Sequence, residues 1–258
     1  MEINKRGKAN KGELIGKASA VFIALLIWQI GAEALNQELL LVTPLKVLLR
    51  LKELVLTGDF WSSVSYSFIR ILSGFLIALL SGVLLAAISG GHKLIETLLW
   101  PYVAVIKSTP VASFIILCLI WLDSSSLSVF ISFLMVLPVV YTNILQGIKS
   151  TDKELLEMAA VFKMKLFKKL KYIYLPQVKP YLLSGCTLSL GLCWKAGIAA
   201  EVIGMPDGSI GERLYEAKIY LSSQDLFAWT VVIIVISILF EKLFLWGLKK
   251  VYLHLERG

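Results

Sequence analysis

Charge is scarce in this chain. Of its 258 residues only 17% are Asp, Glu, Lys or Arg, 57% are hydrophobic, and the mean hydropathy is +0.78. A soluble domain of this length carries about 25% charged residues, so a water-soluble globule is excluded. Histidine is nearly missing: His92 and His254 stand far apart, which leaves no metal cluster to read. There is no HExxH, no G-x-S-x-G and no Walker A sequence G-x4-G-K-[ST]. Ser124-Ser125-Ser126 follows Asp123 with no base nearby in sequence and reads as a turn. Cys118, Cys186 and Cys193 form no CxxC pair and all lie in apolar stretches, as buried free thiols do.

What is present is apolar length. Six stretches approach the 20 or so apolar residues that cross a bilayer: Ala18–Leu35, Ser67–Ile88, Leu98–Leu122, Leu127–Ile148, Tyr181–Ala200 and Leu226–Leu248. The first holds Gln29 and is followed by no small-residue cleavage site, so it reads as a span rather than a signal peptide. Lys107 and Pro110 interrupt the third, and Lys195 the fifth. The expected fold is an all-α membrane bundle of six helices, with residues 1–17 a polar, basic tail and 18–258 one membrane domain.

The net charge of +8 invites a nucleic-acid reading, but its distribution argues for topology instead. With the N-terminus placed in the cytoplasm, eighteen of the 26 Lys and Arg fall inside, in the tail, the 89–97 loop, residues 149–179 and the C-terminal end. Five fall outside: Lys46, Arg50, Lys52, Arg213 and Lys218. That is the positive-inside rule with both termini cytoplasmic, and nucleic acid is not an expected partner.

Thr43-Pro44 predicts a helix start, Thr as N-cap and Pro at the first position. Leu45, Leu48, Leu49 and Val55 then share one side, opposite Lys46, Arg50, Lys52 and Glu53, as in a helix lying in the outer interface. Gly74 and Gly82 in the second span, and Gly185 and Gly191 in the fifth, permit close helix packing.

Between the fourth and fifth spans, residues 154–180 read ELLEMAAVFKMKLFKKLKYIYLPQVKP. Thr151-Asp-Lys-Glu154 fits a capping box, and Asp152, Glu154 and Glu157 sit where the helix dipole favours acids. A short, largely apolar helix through Ala159, Ala160 and Phe162 follows. A second helix begins near Lys165, with Leu166, Phe167, Leu170, Ile173 and Tyr174 in one stripe. Pro176 is expected to end the unit, and Pro180 to precede span five. Composition alone favours an interfacial hairpin whose lysines face lipid headgroups over a lever against a partner.

The spacing of Glu157, Ala159, Ile173, Leu175 and Pro176 resembles the signature E-A-A-x3-G-x9-I-x-L-P of the membrane subunits of binding-protein-dependent ABC importers. The stretches SFIRILSGFLIALLSGVLL, LPVVYTNILQGIKS and WKAGIAAEVIG, with DLFAW, are similar to the nitrate/sulfonate/taurine branch of these permeases over roughly residues 40–250. The resemblance implies a type I importer permease in the bacterial inner membrane, working as a homodimer. Its partners would be an external solute-binding protein and separate ATPase subunits that hold ATP and Mg. The insert would supply cytoplasmic coupling helices, with Glu157, Ala159, Ala160, Lys163, Ile173, Leu175 and Pro176 as coupling residues. Two positions depart from the signature: Met158 replaces the first alanine and Lys163 the glycine. Lys163 must therefore adopt a costlier turn or shift the break by one residue.

Charged groups within spans are expensive and usually face protein or water. Lys107, Lys195 and Glu201 are the candidates for a polar lining of the path. Lys195 and Glu201 are six residues apart and do not share a helix face. Lys107 can equally snorkel to an interface. Two other classes remain open at this point: a transmembrane coupling subunit of a vitamin or vitamin-precursor transporter, and an intramembrane enzyme.

Overall fold

The computed structural model describes the backbone of residues 3–257 and the side chains of residues 15–253. The side chains of Lys5, Arg6, Lys8, Lys11 and Arg257, counted above for topology, lie outside the described residues. Among the described residues all regular structure is helical. In chain order the helices are α1 (Ile3–Leu35), α2 (Pro44–Val55), α3 (Gly58–Gly91), α4 (Lys93–Ser108), α5 (Val111–Cys118), α6 (Ser124–Lys149), α7 (Lys153–Val161) and α8 (Leu166–Lys169). A π-helical turn over Leu170–Tyr174 then leads into α9 (Leu175–Gly204), followed by α10 (Ile210–Ile219) and α11 (Ser223–Arg257).

Five helical segments are long and apolar enough to cross a membrane, and α4 with α5 makes a sixth if the bent pair is one span. The pair bends by 103° at Thr109-Pro110. Proline cannot continue the hydrogen-bond ladder and pushes the residue before it out of the helical region; Thr109 is accordingly extended (ψ 133). The interruption expected from Lys107 and Pro110 is thus a sharp corner.

By its internal contacts the chain forms two compact units. One comprises Met1–Phe60 and Leu214–Val231. Its core sets Val42, Val47 and Ala228 among Trp28, Leu51, Leu54 and Phe227, and Phe60 stacks on Trp229 at 5.2 Å between ring centroids. Pro44 opens α2 as expected, although the Thr43 hydroxyl makes no capping bond. Arg50 Nε donates to Asp225 at 2.5 Å and Arg50 Nη1 to Glu53 at 2.8 Å. The bond to Asp225, then that to Glu53, raises the arginine above its ordinary range, so it is a permanent charge. Leu45, Leu48 and Leu49 are exposed on the side expected to meet lipid.

The other unit comprises Trp61–Arg213 and Val232–Gly258. Glycines draw α3 onto α6. A Cβ at Gly74 would lie 2.3 Å from the Val129 carbonyl, at Gly82 2.9 Å from Val140, and at Gly90 2.6 Å from Ile148. The three contacts follow one another along α6, at Val129, Val140 and Ile148. Gly185 meets Asn143 of α6 in the same way, at 3.1 Å, but a Cβ at Gly191 would meet nothing within 4 Å among the described residues. Ile115, Leu127, Ile131, Met135, Ala196 and Ala200 form the core between α5, α6 and α9. Trp194, Phe68, Phe75, Phe240 and Phe244 form an aromatic cluster. All three cysteines are buried and free, as the sequence suggests.

Candidate functional site: the insert and the membrane-depth charges

The insert starts one residue later than the capping box implies. Asp152, not Thr151, caps α7, accepting the Glu154 N–H at 2.9 Å. Thr151 is buried and its hydroxyl donates back to the Gly147 carbonyl. A carboxylate is the stronger acceptor for a helix start.

α7 ends in a left-handed residue, and that residue is Lys163 (φ 47). The Lys163 N–H donates to Ala160 O at 3.0 Å and the Met164 N–H to Ala159 O at 2.9 Å, which closes the last carbonyls of α7. Of the two options open to a lysine at the glycine position, the chain takes the costlier turn without moving the break.

Beyond the turn, Pro176 does not end the unit. α8, the π turn and α9 run on as one helical segment from Leu166 to Gly204. The Leu175 N–H donates to Leu170 O, five residues back. This wider turn shifts the bonding register just where Pro176, lacking an N–H, would clash in a regular α-helix. Pro176 then occupies the first turn of α9 and Pro180 lies inside it. Span five is therefore longer than Tyr181–Ala200, and the second short helix is its end.

The signature residues divide by burial. Ala159 (3% exposed) and Ile173 (3%) point into their own unit. Glu157, Ala160, Lys163 and Pro176 are exposed, and Leu175 is half-buried. Val161, Phe162, Leu166 and Phe167 are also exposed, the two phenylalanines at 73% and 78%. Lys163, Lys165 and Lys168 lie among them. The stripe expected along the second helix is accordingly split: Ile173 is inside, while Leu166 and Phe167 face out. Four large apolar side chains on a seven-residue stretch form a patch of the kind that marks a partner surface.

The three membrane-depth charges have different settings. Glu201 has no exposed surface in this conformation. Its Oε2 accepts the Ser67 hydroxyl at 2.6 Å and the Gly211 N–H at 3.3 Å, and the Ser67 Oγ accepts the Ile210 N–H at 2.9 Å. Glu201 thus ties the start of α10 to α3 and α9 rather than lining a surface. Lys107 is exposed at the last turn of α4 and donates to Thr142 Oγ1 of α6 at 3.2 Å.

Lys195 is exposed in the middle of an otherwise buried length of α9, on a face shared with Ser184, Thr187 and the open Gly191. At 100° per residue these four lie within a stripe about 80° wide. The opposite face of α9 packs on α6. The stripe itself was not evident in the sequence, where Lys195 read as an isolated charge; its signal is the 184-187-191-195 spacing of small and polar residues.

A family model described as the inner membrane component of binding-protein-dependent transport systems matches residues 74–249. SsuC of Bacillus subtilis, whose name assigns it to aliphatic sulfonates transport as a permease, is 29% identical over 221 residues, covering 84% of this chain and 79% of SsuC. The bicarbonate transport system permease protein CmpB of Synechococcus elongatus is 25% identical over 86% of this chain and 84% of its own length. The nitrate import permease protein NrtB of the same organism is 25% identical, over 76% and 73%.

Proposed function

This chain belongs to the inner membrane components of binding-protein-dependent transport systems; it is a multi-pass ABC importer permease, and we propose that it carries a small anion into the cytoplasm. The relatives named for sulfonates, bicarbonate and nitrate support an anionic solute, and they give no support to the readings as a vitamin-transporter coupling subunit or an intramembrane enzyme.

The observation that carries the reading is the exposed apolar end of the insert, Val161 to Phe167, on a chain without a Walker A sequence. ABC ATPase subunits, holding ATP and Mg, seat this surface. Glu157, Ala160, Phe162 and Phe167 make the contact, while Ala159 and Ile173 brace it from within. The unbroken helical run from Leu166 to Gly204 joins the second short helix to span five. Movement at the insert is passed along this run to the Lys195 stripe, in a switch between two states.

A stripe of Ser184, Thr187, Gly191 and Lys195 is costly against lipid tails and is stable against water or protein. In the proposed homodimer it faces the path, with Lys195, and Lys107 at the corner of α4, drawing the anion. An external solute-binding protein delivers it, both termini lie in the cytoplasm, and the membrane is the bacterial inner membrane.

The test is reconstitution of the chain with the ATPase and binding protein encoded beside it, followed by ATP-dependent uptake of labelled sulfonate, nitrate and bicarbonate. Uptake of at least one anion is expected. Uptake of only neutral or cationic solutes would remove the anion assignment, and none at all with every partner bound would remove the transport assignment for this assembly.

A further inference from the structure

Two recesses of opposite character meet at the C-terminal ends of α3 and α6. One, of about 470 Å³, is the more polar of the two and carries the charged groups; Lys93, Glu96 and Trp100 of α4 line it with Lys149 of α6. The other, of about 380 Å³, is apolar, running between Val83 and Ala87 of α3, Ile144 of α6, and Leu166, Leu170 and Val178. Gly90 and Gly91 border both. A Cβ at Gly91 would meet nothing within 4 Å, whereas one at Gly90 would lie 2.6 Å from Ile148, which lines the apolar recess; the two recesses share this glycine rim.

Their depths differ in the sense an amphiphile requires. Val83 precedes Gly91 by eight residues, about 12 Å along a helix, so the apolar recess sinks toward the bilayer centre. The polar one stays at the helix ends. Charge is also one-sided. Lys149 pairs with Glu96 at 2.5 Å, Lys93 lines the same recess without an ion pair among the described residues, and Lys169 stands 5.8 Å from the ring of Tyr174, which lines the apolar recess. The charged recess thus holds two ammonium groups and one carboxylate, and Lys169 stands beside the apolar one. The exposed indole of Trp100 sits at the rim, as interfacial aromatics do.

We propose that the two adjoining recesses together bind one anionic phospholipid that straddles Gly91, its phosphate held by Lys93 and Lys149 and one acyl chain laid along Ala87, Ile144 and Val178. A free inorganic anion would use the lysines but leave the apolar recess empty. A zwitterionic lipid would fill the recess, but its own cation would weaken the pull of the lysines. The site requires only that the chain spans a bilayer, and it stands or falls separately from the solute assignment.

The experiment is native mass spectrometry of the purified full chain titrated with phosphatidylglycerol or phosphatidylcholine. It is paired with photo-crosslinking by phosphatidylglycerol bearing a diazirine on its acyl chain. One tightly retained phosphatidylglycerol is expected. Near-surface lysines contribute about fivefold each to such preference, so Lys93→Gln with Lys149→Gln is expected to lose most of the discrimination over phosphatidylcholine. Ala87→Phe, which fills the recess, is expected to weaken retention of either lipid. Cross-links are expected in the peptide holding Leu166 to Val178, and excess inorganic phosphate is expected not to displace the lipid. Equal retention of the two lipids by the wild-type chain overturns the proposal. So does preference that survives in the double lysine variant, displacement by phosphate, or cross-links scattered over all spans; this last reading needs no variant to fold.

Discussion

The Ser67 hydroxyl donates to Glu201 Oε2 at 2.6 Å while its oxygen accepts the Ile210 N–H at 2.9 Å. One serine thereby serves both one oxygen of a buried carboxylate and the first N–H of α10. Gly211 allows this approach: a Cβ there would lie 2.3 Å from Glu201 Cβ. Ser67→Ala leaves a buried donor and a buried acceptor short of partners, each costing about 1–3 kcal/mol. Thermal unfolding in detergent should show a clear drop for Ser67→Ala and a smaller one for Ser67→Thr, which keeps the hydroxyl. An unchanged midpoint in Ser67→Ala would mean that this bond does not hold α10 in place.

Lys163 occupies the left-handed turn that the family signature fills with glycine. A side chain there costs about 1–2 kcal/mol, partly offset by the greater freedom glycine gives the unfolded chain. Lys163→Gly should therefore raise stability by about 0.5–1 kcal/mol, measured by denaturant or thermal unfolding, whereas Lys163→Val should lower it, because a β-branched residue is least tolerant of positive φ. Destabilisation by glycine would contradict the assigned turn.

The glycines of α3 and α9 are not equivalent. Gly82→Leu would drive a side chain into Val140 of α6 and should cost about 1–3 kcal/mol or misfold the chain. Gly191→Ala meets open space inside α9 and should raise stability by about 0.5–1 kcal/mol, because alanine is the better helix former. If Gly191 lines the solute path, Gly191→Leu should lower uptake while the protein still assembles. Equal loss of stability in Gly82→Leu and Gly191→Ala would show that α9 is covered on the face described as open.

Lys195 offers a charge test of the path. Lys195→Gln should slow uptake with complex assembly intact, and Lys195→Arg should retain more activity than Lys195→Gln. Near-normal uptake in both would return Lys195 to an interfacial anchor.

Much of this was legible in the sequence for physical reasons that can be named. Apolar length located the spans, and Pro110 marked the place where the third one turns. The signature spacing located the insert because it fixes both the left-handed turn and the helix that follows. Less was legible where partners are distant in the chain. Nothing near Glu201 in sequence announces Ser67, so a charge in a span read as a pathway group while its partners enclose it. Pro176 read as a stop because the π turn that accommodates it has no clear sequence mark. Ala159 and Ala160 both stood as coupling residues, and only the direction of α7 against its own unit separates a buried alanine from an exposed one.

That separation decides how the central claim is tested. A bulky residue at Ala159 would disturb the permease itself, since the side chain is enclosed. Ala160 and Phe162 are exposed on the patch and can be changed without opening a cavity. The measurement is retention of the ATPase and ATP-driven uptake in membranes at matched permease expression, for wild type, Ala160→Trp, Phe162→Asp and Glu157→Lys. The account predicts normal insertion of all three variants, with weakened ATPase retention or hydrolysis uncoupled from uptake, most severely in Phe162→Asp, where a charge replaces the largest exposed apolar group of α7 and its cap. Full retention and full coupling in Phe162→Asp and Ala160→Trp together would contradict it, because the exposed end of the insert would then not be the surface through which the ATPase drives transport.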